Sequence, residues 1–507
     1  MNYPRPQMKR SQWQSLDGEW LINGQPGLVP SCRSEEHLIY EKKFTYTKLS
    51  DRVLLHFGAA DQIAKVYLNG AFLGEHLGGY LPFTFDITPH LAEENVLRVE
   101  VTDMLDHTYP YGKQRKDRGG MWYTPVSGLW KSVWLESVPE TYISNVKITP
   151  DLTGANFEIS ITSPDGVKIE SERIDVDSPE LWTPDNPRLY THTVRRGEDE
   201  VEIYFALRIV DIREIDGVNR VCLNGEPIFL HGVLDQGYFE DGIFTPGDIS
   251  EYEKDVLRMK ELGINLIRKH IKIEPEEFYY ACDRLGMLVM QDMVNSGDYS
   301  FFRDTALGTV GIHISDICKK NDRRKDFFIA HSIETVRTLY NHPSIIAYTI
   351  FNEGWGQFNS DMIYDRLKAL DPTRLYDSTS GWFTQKKNDF DSEHIYFRLK
   401  KLKPRVRPLF VTECGGYSYN LNGQSKTYGY GKCASVDELT DRIEKLYEKM
   451  IIPVIPSGCC GCIYTQLSDV EDEINGLYSY DRKTCKVDKK RMRDIAASLQ
   501  RSIKNVK

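Results

Sequence analysis

The sequence predicts a multidomain protein of the β plus α/β class, with two N-terminal β-sandwiches followed by a C-terminal (β/α)8 barrel. Three observations predict it. A chain of 507 residues exceeds what one hydrophobic core usually supports and favours about three domains. From residue 11 to about 213, short strand-like runs are separated by Gly, Asn and Asp. From about residue 214, apolar runs alternate with amphipathic helical patterns, as in parallel α/β folds.

Composition limits the function classes. Hydrophobic residues make up 40% of the chain and aromatic residues 11%, which is enough for sizeable cores. The net charge of −10 is scattered, so no nucleic-acid partner is expected. The chain contains no apolar run of about 18 residues, which argues against a membrane span. The first twenty residues contain no apolar signal-peptide core, so a cytoplasmic protein is expected.

The cysteines favour free thiols over a disulfide framework. Ten cysteines are irregularly spaced, as in a cytosolic protein. Cys459, Cys460 and Cys462 form a cluster that invites a metal interpretation. A second Cys/His pair with zinc-like spacing is missing, and the cluster leads into a predicted strand. We therefore predict no metal site.

The two sandwiches are predicted from their strand patterns. Residues 1–138 contain runs such as RVLLHFG, AKVYLNG and VLRVEVTD, and Asn69-Gly70 is a hairpin signal. Many short strands without helical periodicity indicate a jelly roll or sandwich. Residues 139–213 contain YISNVKI, FEISIT, LYTHTV and VEIYFALRIV, interrupted by prolines. About seventy residues suffice for a small immunoglobulin-like sandwich.

Residues 214–507 are predicted to form the barrel. Its eight strands are read as PIFLHGVL, INLIRKH, MLVMQDM, SIIAYTIFNE, RLYDSTS, EHIYF, PLFVTE and GCIYTQLSD. Eight strand–helix units in this length match a (β/α)8 barrel. The first helix is predicted over DISEYEKDVLRMKELG, with Asp248 as its N-cap and Gly263 as its end.

Two of these strands end in a glutamate. Glu353 ends the fourth strand and Glu413 ends the seventh. The carboxyl ends of barrel strands share one rim, where enzymes of this fold keep their chemistry, so both carboxylates are expected there. Two facing carboxylates suggest glycoside hydrolysis, in which one protonates the departing oxygen and the other attacks the sugar or activates water.

Several motifs resemble glycoside hydrolase family 2, which includes β-galactosidases, β-glucuronidases and β-mannosidases. The segments N-E-G-W at 352–355 and T-E-C-G-G at 412–416 are similar to its acid/base and nucleophile motifs. FGAADQIAKVYLNGAFLGEHLGGYLPFTFDIT at 57–88 and GGMWYTPVSGLWKSVWLE at 119–136 resemble its N-terminal sugar-binding jelly roll. The resemblance implies the order jelly roll, immunoglobulin-like domain and catalytic barrel, and a retaining mechanism.

The resemblance also implies roles for five residues. Glu413 is expected to be the nucleophile and Glu353 the acid/base. Asn352 would donate to the sugar 2-hydroxyl. Arg268 would keep the nucleophile ionised. Tyr396 would donate its phenol to the nucleophile, although packing is an equally good interpretation.

Further rim candidates follow from strand ends and loops. Substrate-contact candidates on the barrel are His270, Lys272, Asp235, Asp292, Trp355 and Trp382. Residues 104–120 form a polar loop that in the family can reach the barrel, and its candidates are Asp106, His107 and Tyr109. The equivalence of His270 is open, because this chain has RKHIKIEP where many members have Arg-x-Ser-His-Tyr-Pro.

Departures from the family pattern bear on the sugar. The first-strand motif is GVLDQGY instead of G-V-N-R-H-E. The Asn-x-Lys pair with which family glucuronidases recognise a uronic carboxylate does not occur in QLSDVEDEINGLYSYDRK after the eighth strand. A hydroxymethyl-bearing, deoxy or pentose sugar is therefore favoured over a uronic acid, although Lys272 or Arg303 could substitute.

These patterns predict a retaining exo-acting β-glycosidase, closest to β-galactosidases, that acts on a small carbohydrate or glycoside without a cofactor. The alternatives are a β-mannosidase, a β-glucuronidase or galacturonidase, or a non-catalytic carbohydrate-binding relative. A homo-oligomer formed through the β domains is compatible with each of these functions.

Overall fold

The computed structural model describes residues 3–307, 310, 322–396, 398–403, 405–421 and 423–504. Its β-sandwich sheets and its eight-stranded parallel barrel confirm the predicted fold class. No helix in these ranges is both long enough and apolar enough to cross a membrane.

The N-terminal region contains two antiparallel sheets that enclose a core. Their strands are β1 (Trp13–Ser15), β2 (Gly18–Ile22), β3 (Gln25–Val29), β4 (His37–Thr45), β5 (Arg52–Phe57), β6 (Ile63–Leu68), β7 (Ala71–Leu77), β8 (Phe83–Asp86), β9 (Glu94–Thr102) and β10 (Val133–Val138). The strand orders are β3-β2-β4-β9-β6-β7 and β1-β10-β5-β8. Alternation along β9 buries Leu97, Val99 and Val101. Asn69 and Gly70, both with positive φ, turn the predicted β6–β7 hairpin.

The second region is built from shorter sheets. Its strands are β11 (Tyr142–Pro150), β12 (Gly154–Ser163), β13 (Gly166–Asp175), β14 (Tyr190–Arg196) and β15 (Asp199–Phe205). The next sheet, of β16 (Val210–Ile215), β17 (Val218–Leu223) and β18 (Glu226–Pro227), shares its core with the barrel strands. Arg10 joins the first two regions, because its guanidinium donates to Glu136 at 2.8 Å and to Asp199 at 2.8 Å. Trp182 joins the second region to the barrel by donating to the Asp283 carbonyl at 2.8 Å.

Eight parallel strands form the barrel. They are β19 (Leu230–Asp235), β20 (Leu266–Lys269), β21 (Leu288–Asp292), β22 (Ile345–Asn352), β23 (Leu375–Ser380), β24 (Asp391–Ile395), β25 (Leu409–Gly415) and β28 (Cys459–Thr465). The short strands β26 (Ser418–Tyr419) and β27 (Lys432–Cys433) pair outside it. Most of the barrel residues are buried, which is why the predicted strands read as continuous apolar runs.

Among the described residues, β23 and β24 are the two neighbouring barrel strands that are not paired by backbone hydrogen bonds. Side-chain hydrogen bonds connect them instead. Ser380 Oγ lies 2.8 Å from His394 Nε2. Asp377 accepts hydrogen bonds from Asn388, at 2.9 Å, and from Ser392. These contacts tie the fifth strand to the sixth beside the candidate site.

Helices follow six of the eight strands. They are α1 (Glu251–Glu261), α2 (Glu276–Leu285), α3 (Asp322–Leu339), α4 (Ser360–Leu370), α5 (Val436–Leu446) and α6 (Lys489–Lys504). The predicted regular alternation is wrong after β23 and β24, since no helix occurs among the described residues of those connections. After β23, Asp389 instead accepts from the Tyr376 backbone at 2.8 Å and holds the short connection against the strand.

The α1 start also differs from the prediction. Asp248 is not the N-cap, because the helix begins at Glu251 after Ser250. Asp248 accepts from the Ser250 backbone at 3.0 Å and from Lys254, so it closes the preceding turn.

The N-terminal domain packs against the mouth of the barrel, the rim formed by the carboxyl ends of its strands. In the 104–120 loop, the Tyr111 N–H donates to the Asn295 carbonyl at 3.0 Å and its hydroxyl to the Gly297 carbonyl at 3.0 Å. Lys131 donates to the carbonyls of Tyr80, at 2.9 Å, and of Glu274, at 3.1 Å. The jelly roll thereby supplies one wall of the mouth.

Candidate active site

Glu353 lies one residue beyond β22, where the strand turns sharply. Its φ is 54°, its N–H donates to the Ser380 carbonyl at 3.0 Å, and Gly354 follows with φ 85°. This turn directs the side chain into the mouth, where 12% of it is exposed. Glu353 Oε1 lies 2.7 Å from His394 Nδ1, and Oε2 lies 3.5 Å from Thr305 Oγ1.

Glu413 lies near the end of β25 and is buried. Its Oε1 accepts from Arg268 Nη1 at 3.1 Å, and its Oε2 accepts from the Tyr396 hydroxyl. Burial alone would raise the pKa of Glu413, but the nearby His394 and Arg268 charges lower it to about 2. Glu413 is therefore held as a carboxylate.

The two carboxyl groups are close together. A Glu353 oxygen, a Glu413 oxygen and a His394 ring nitrogen all lie within 4.8 Å of one another. Carboxyl groups about 5 to 5.5 Å apart suit direct attack on a sugar, whereas water activation needs about 6.5 to 9.5 Å. The observed spacing fits the first geometry.

Arg268 is the hub of the site and is fully buried. Nε donates to Asp292 at 3.0 Å, Nη1 to Glu413, and Nη2 to Asn352 Oδ1 at 2.9 Å. Because the Asn352 oxygen is occupied by Arg268, its amide nitrogen remains as the donor for a ligand.

Asp292 is held between two partners. Arg268 occupies its Oδ1, and His270 Nδ1 lies 2.7 Å from its Oδ2. Burial, followed by the charge of Lys113, lowers the pKa of His270 to about 4. The neutral imidazole therefore donates Nδ1–H to Asp292 and keeps its second nitrogen as an acceptor.

Tyr396 lies one residue past β24. Burial, followed by the charge of Glu413, raises the pKa of its phenol well above the usual range, so it remains a donor. Its ring stacks on Tyr430 at 4.1 Å, which fixes its orientation. The structure thus gives Tyr396 both a hydrogen bond to Glu413 and a packing contact.

Two predicted substrate-contact residues, Asp235 and Lys272, form hydrogen bonds with other protein groups. Asp235 accepts from Lys269 and from the Gly237 backbone. Lys272 donates to the carbonyls of Gly237 and Phe244 and pairs with Glu274 at 2.8 Å. These bonds point Lys272 towards the junction of the barrel with the jelly roll.

The two predicted tryptophans have different surroundings. Trp355 is buried, donates to the Gly297 carbonyl at 2.9 Å and packs on Trp122 at 5.1 Å. It therefore joins the loop after β21 to the jelly-roll wall. Trp382 is partly exposed and meets the His394 ring edge-on at 5.6 Å, beside Glu353.

The three loop candidates lie along the jelly-roll wall. His107 Nδ1 lies 2.7 Å from Asp298, the Asp106 carbonyl accepts from Gln62 at 3.0 Å, and Tyr109 is buried. All three hold the loop in place through protein contacts.

Sequence reasoning missed four residues of the mouth: His394, Tyr430, Glu473 and Lys113. The sequence does contain a signal for His394, because His394 precedes Tyr396 by two residues and therefore lies on the same face of the strand. Glu473 is buried, accepts from Tyr123 and Asn475, and had no motif to mark it.

The same trio of Glu353, His394 and Glu413 has donor atoms close enough to surround a metal ion. We assign no metal ligands here. Both Glu413 oxygens already accept bonds, from Arg268 and Tyr396, and Arg268 supplies the cation that neutralises it. A metal would have to displace these partners.

Three family models match the chain. They are described as the galactose-binding domain-like region of glycosyl hydrolase 2 at residues 31–128, glycosyl hydrolases family 2 at 152–208, and the TIM barrel domain of glycosyl hydrolases family 2 at 214–408. Together they cover more than half of the chain. They confirm the resemblance drawn from the motifs.

Relatives with two different activities match. A β-galactosidase of Thermoanaerobacter pseudethanolicus is 30% identical over 283 residues, 48% of this chain and 37% of that protein. A β-glucuronidase of Chlorocebus aethiops is 26% identical over 427 residues, 72% of this chain and 61% of that protein. The chain thus spans less than two thirds of the length of either relative.

Solved structures show the same fold. The β-D-glucuronidase of Dictyoglomus thermophilum matches with a TM-score of 0.76 at 17% identity, covering 100% of this chain and 99% of that one. A β-galacturonidase from Eisenbergiella tayi bound to galacturonate matches with a TM-score of 0.73 at 18% identity, covering 97% and 98%.

Proposed function

The chain belongs to glycoside hydrolase family 2, and from this premise we propose that it is a retaining exo-acting β-glycosidase. Glu413 is the nucleophile and Glu353 is the acid/base. The single observation that carries the proposal is the pair of carboxyl oxygens within 4.8 Å at the barrel mouth, only one of which is paired with a buried arginine.

In the first step, Glu413 attacks the anomeric carbon while Glu353 gives its proton to the departing oxygen. A covalent glycosyl-enzyme and a free aglycone result. Arg268 and Tyr396 hold Glu413 ionised and aimed, which supports its role as nucleophile. The Asn352 amide nitrogen donates to the sugar 2-hydroxyl, a contact that strengthens in the transition state.

In the second step, Glu353 takes a proton from water, and the resulting hydroxide displaces Glu413 from the anomeric carbon. Two inversions return the original β configuration. The partly exposed Glu353 side chain is accessible to this water, whereas Glu413 is buried beneath the sugar site.

For the sugar, we propose a β-galactoside-like substrate with a hydroxymethyl group. The relative that is 30% identical carries the name β-galactosidase. The two cations that could have replaced the missing Asn-x-Lys pair are also engaged: Lys272 with Glu274, and Arg303 with Asp304 at 2.6 Å.

One observation favours a second candidate, a β-galacturonide or β-glucuronide. Lys113, in the jelly-roll loop, is half-buried, and its ammonium has no ion-pair or hydrogen-bond partner among the described residues. After burial, its charge is the next cause of the lowered pKa of His270, and it opposes the rise that burial causes in the pKa of Glu473, so it acts on two residues of the mouth. A uronic carboxylate would supply the partner that this ammonium lacks.

A panel of nitrophenyl β-glycosides distinguishes the two sugars. Galactoside, glucoside, mannoside, glucuronide, galacturonide, arabinoside and fucoside would be assayed with wild type, Glu413→Gln and Lys113→Met. Lys116→Met serves as the control, because Lys116 lies in the same loop but is exposed and pairs with Glu36.

A β-galactosidase turns over the galactoside, loses that activity in Glu413→Gln and keeps it in Lys113→Met. A uronidase turns over a uronide and loses about 1 to 3 kcal/mol of transition-state binding in Lys113→Met alone. Activity that survives in Glu413→Gln would overturn the assignment of the nucleophile.

A further inference from the structure

His394 lies between the two candidate catalytic carboxylates. It is buried on β24, and its Nδ1 lies 2.7 Å from Glu353 Oε1 and 3.6 Å from Glu413 Oε2. The ring is held from two sides, by Trp382 edge-on and by the backbone at Gly381, where an added Cβ would stand 3.0 Å from the imidazole. This histidine is fixed in place and touches the group that must carry the proton.

The hydrogen bonds on the far side of the ring determine its tautomer. Ser380 Oγ donates to Thr412 Oγ1 at 2.9 Å, so it accepts from His394 Nε2, 2.8 Å away. Nε2 therefore carries a hydrogen whether the ring is neutral or charged, and Nδ1 faces Glu353 Oε1 across a contact that can hold one further proton. With a proton in this contact, the pair is either a carboxylic acid beside a neutral imidazole or a carboxylate beside an imidazolium; without it, a carboxylate would face the Nδ1 lone pair and be repelled.

We propose that His394 is a positioning residue that shares the catalytic proton with Glu353, so that the pair, and not the carboxyl alone, delivers and recovers it. The proposal rests on the glycosidase function proposed above. His394 would be the residue that lets Glu353 keep its proton although the ionised Glu413 lies nearby.

The proton balance follows the two steps. In the free enzyme, one proton lies in the Nδ1···Oε1 contact and Glu413 is a carboxylate. In the first step, the glycosidic bond breaks, a bond forms from the anomeric carbon to Glu413, and the shared proton leaves on the aglycone oxygen. The pair is then a carboxylate beside a neutral imidazole. Water returns a proton to the pair as its hydroxide takes the sugar from Glu413.

The groups that face His394 define its electrostatic setting. Glu353 from the end of β22 and Glu413 from β25 are the nearest, and Asp377 from β23 is also influenced by the His394 charge. Arg268 from β20 offsets the charge of Glu413. Because Arg268 is shared between Glu413 and Asp292, negative charge predominates around the ring and favours retention of a proton in the Glu353–His394 pair.

The test is the pH dependence of kcat/KM in His394→Asn. An asparagine amide donates to Glu353 and stabilises its carboxylate form. The basic limb should therefore move to lower pH by about one unit or more, and phenyl glycosides should lose at least about tenfold more activity than dinitrophenyl glycosides. Ser380→Ala, which removes the Nε2 acceptor, should shift the limb in the same direction by less.

Ser378→Ala is the matched control for Ser380→Ala. Ser378 lies two residues earlier on the same face of β23, and its hydroxyl has no hydrogen-bond partner among the described residues. The pH profile of kcat/KM in Ser378→Ala should match that of the wild type. An unmoved basic limb in His394→Asn, with equal losses on both leaving groups, would mean a purely structural role and would overturn the proposal.

A second measurement does not depend on activity. In protein labelled with 15N-histidine, the His394 resonances are identified by their disappearance in His394→Asn. The Nδ1 resonance should move in Glu353→Gln, because the amide replaces the shared proton, while the resonances of His231 stay in place. A wild-type protein that hydrolyses none of the glycosides would contradict the proposed function. An Nδ1 resonance that stays in place in Glu353→Gln would contradict the role of His394 even if the protein is an active glycosidase.

Discussion

At the scale of single residues, the two glutamates share a rim but differ in their partners. Glu413 accepts from Arg268 and Tyr396, whereas the hydrogen-bond partners of Glu353 among the described residues are His394 and Thr305. A buried cation stabilises a carboxylate, whereas an imidazole nitrogen can share a proton with a carboxyl group. The surroundings therefore divide the roles of two chemically identical side chains.

Tyr396→Phe tests how Glu413 is kept ionised. The phenol hydrogen bond helps lower the pKa of Glu413 to about 2, so its removal raises that pKa. A carboxyl with a depressed pKa stays charged until the pH falls through the depressed value. The acid limb of kcat/KM should therefore move to higher pH in the variant, and a limb that stays in place would contradict the proposed role of the phenol.

Glu353→Gln tests the acid/base assignment. An amide cannot protonate a departing oxygen, so poor leaving groups should lose about 100-fold or more in kcat/KM and activated ones far less. The measurement is a series of aryl glycosides of graded leaving-group acidity. Equal losses across the series would show that Glu353 is not the proton donor.

The strand pattern locates residues well at the ends of strands, while the roles assigned to them stay predictions. Arg268, Asn352 and Asp292 lie at strand ends, and the structure brings all three into one network. Lys272 differs, because its ammonium donates to carbonyls of the Gly237–Phe244 loop. The partner of a long flexible side chain depends on loops that sequence periodicity does not describe.

At the scale of elements, the barrel strands were predictable because both faces of each are covered, which gives short apolar runs. The connections after β23 and β24 were not predictable, because side-chain bonds such as Asn388 to Asp377 stabilise them without a helical repeat. The sharp turn at the end of β22 is also invisible to periodicity, yet it aims Glu353.

Gly354→Ala tests that turn. Gly354 has φ 85°, and an added Cβ would stand 2.8 Å from the Phe383 ring. Gly70 has a matching φ of 84° but open space around it. The left-handed backbone should cost about 1 to 2 kcal/mol in both variants. Only Gly354→Ala should add a packing penalty and lower kcat, as measured by thermal unfolding and by turnover. Equal behaviour of the two variants would contradict this account.

At the scale of the whole molecule, the jelly roll and the barrel build the mouth together. Tyr111 donates to the loop that follows β21, and Tyr123 donates to Glu473 beyond β28. The order of the regions was predictable from long motifs, but the residues that join them were not, because they lie in loops. A homo-oligomer formed through the β domains stays a prediction.

Lys131→Met tests the junction between jelly roll and barrel. Burial lowers the pKa of Lys131 to about 7. Between pH 7 and the ordinary lysine range, the unfolded chain binds a proton that the folded protein does not, so this group makes stability rise with pH. Lys131→Met removes that term, so its unfolding temperature relative to wild type should fall as the pH is raised from 7 to 10. Exposed Lys65→Met should show no such trend.

The proposed retaining mechanism requires a covalent sugar on Glu413. The most direct measurement is peptide mass spectrometry after incubation with the 2-deoxy-2-fluoro β-glycosyl fluoride of whichever sugar the nitrophenyl panel identifies. A retaining enzyme with the assigned roles carries one fluorosugar on the peptide containing Glu413, and Glu413→Gln carries none. A sugar on another residue, or turnover of the panel substrate without a trapped adduct and with inversion of configuration by NMR, would contradict the mechanism.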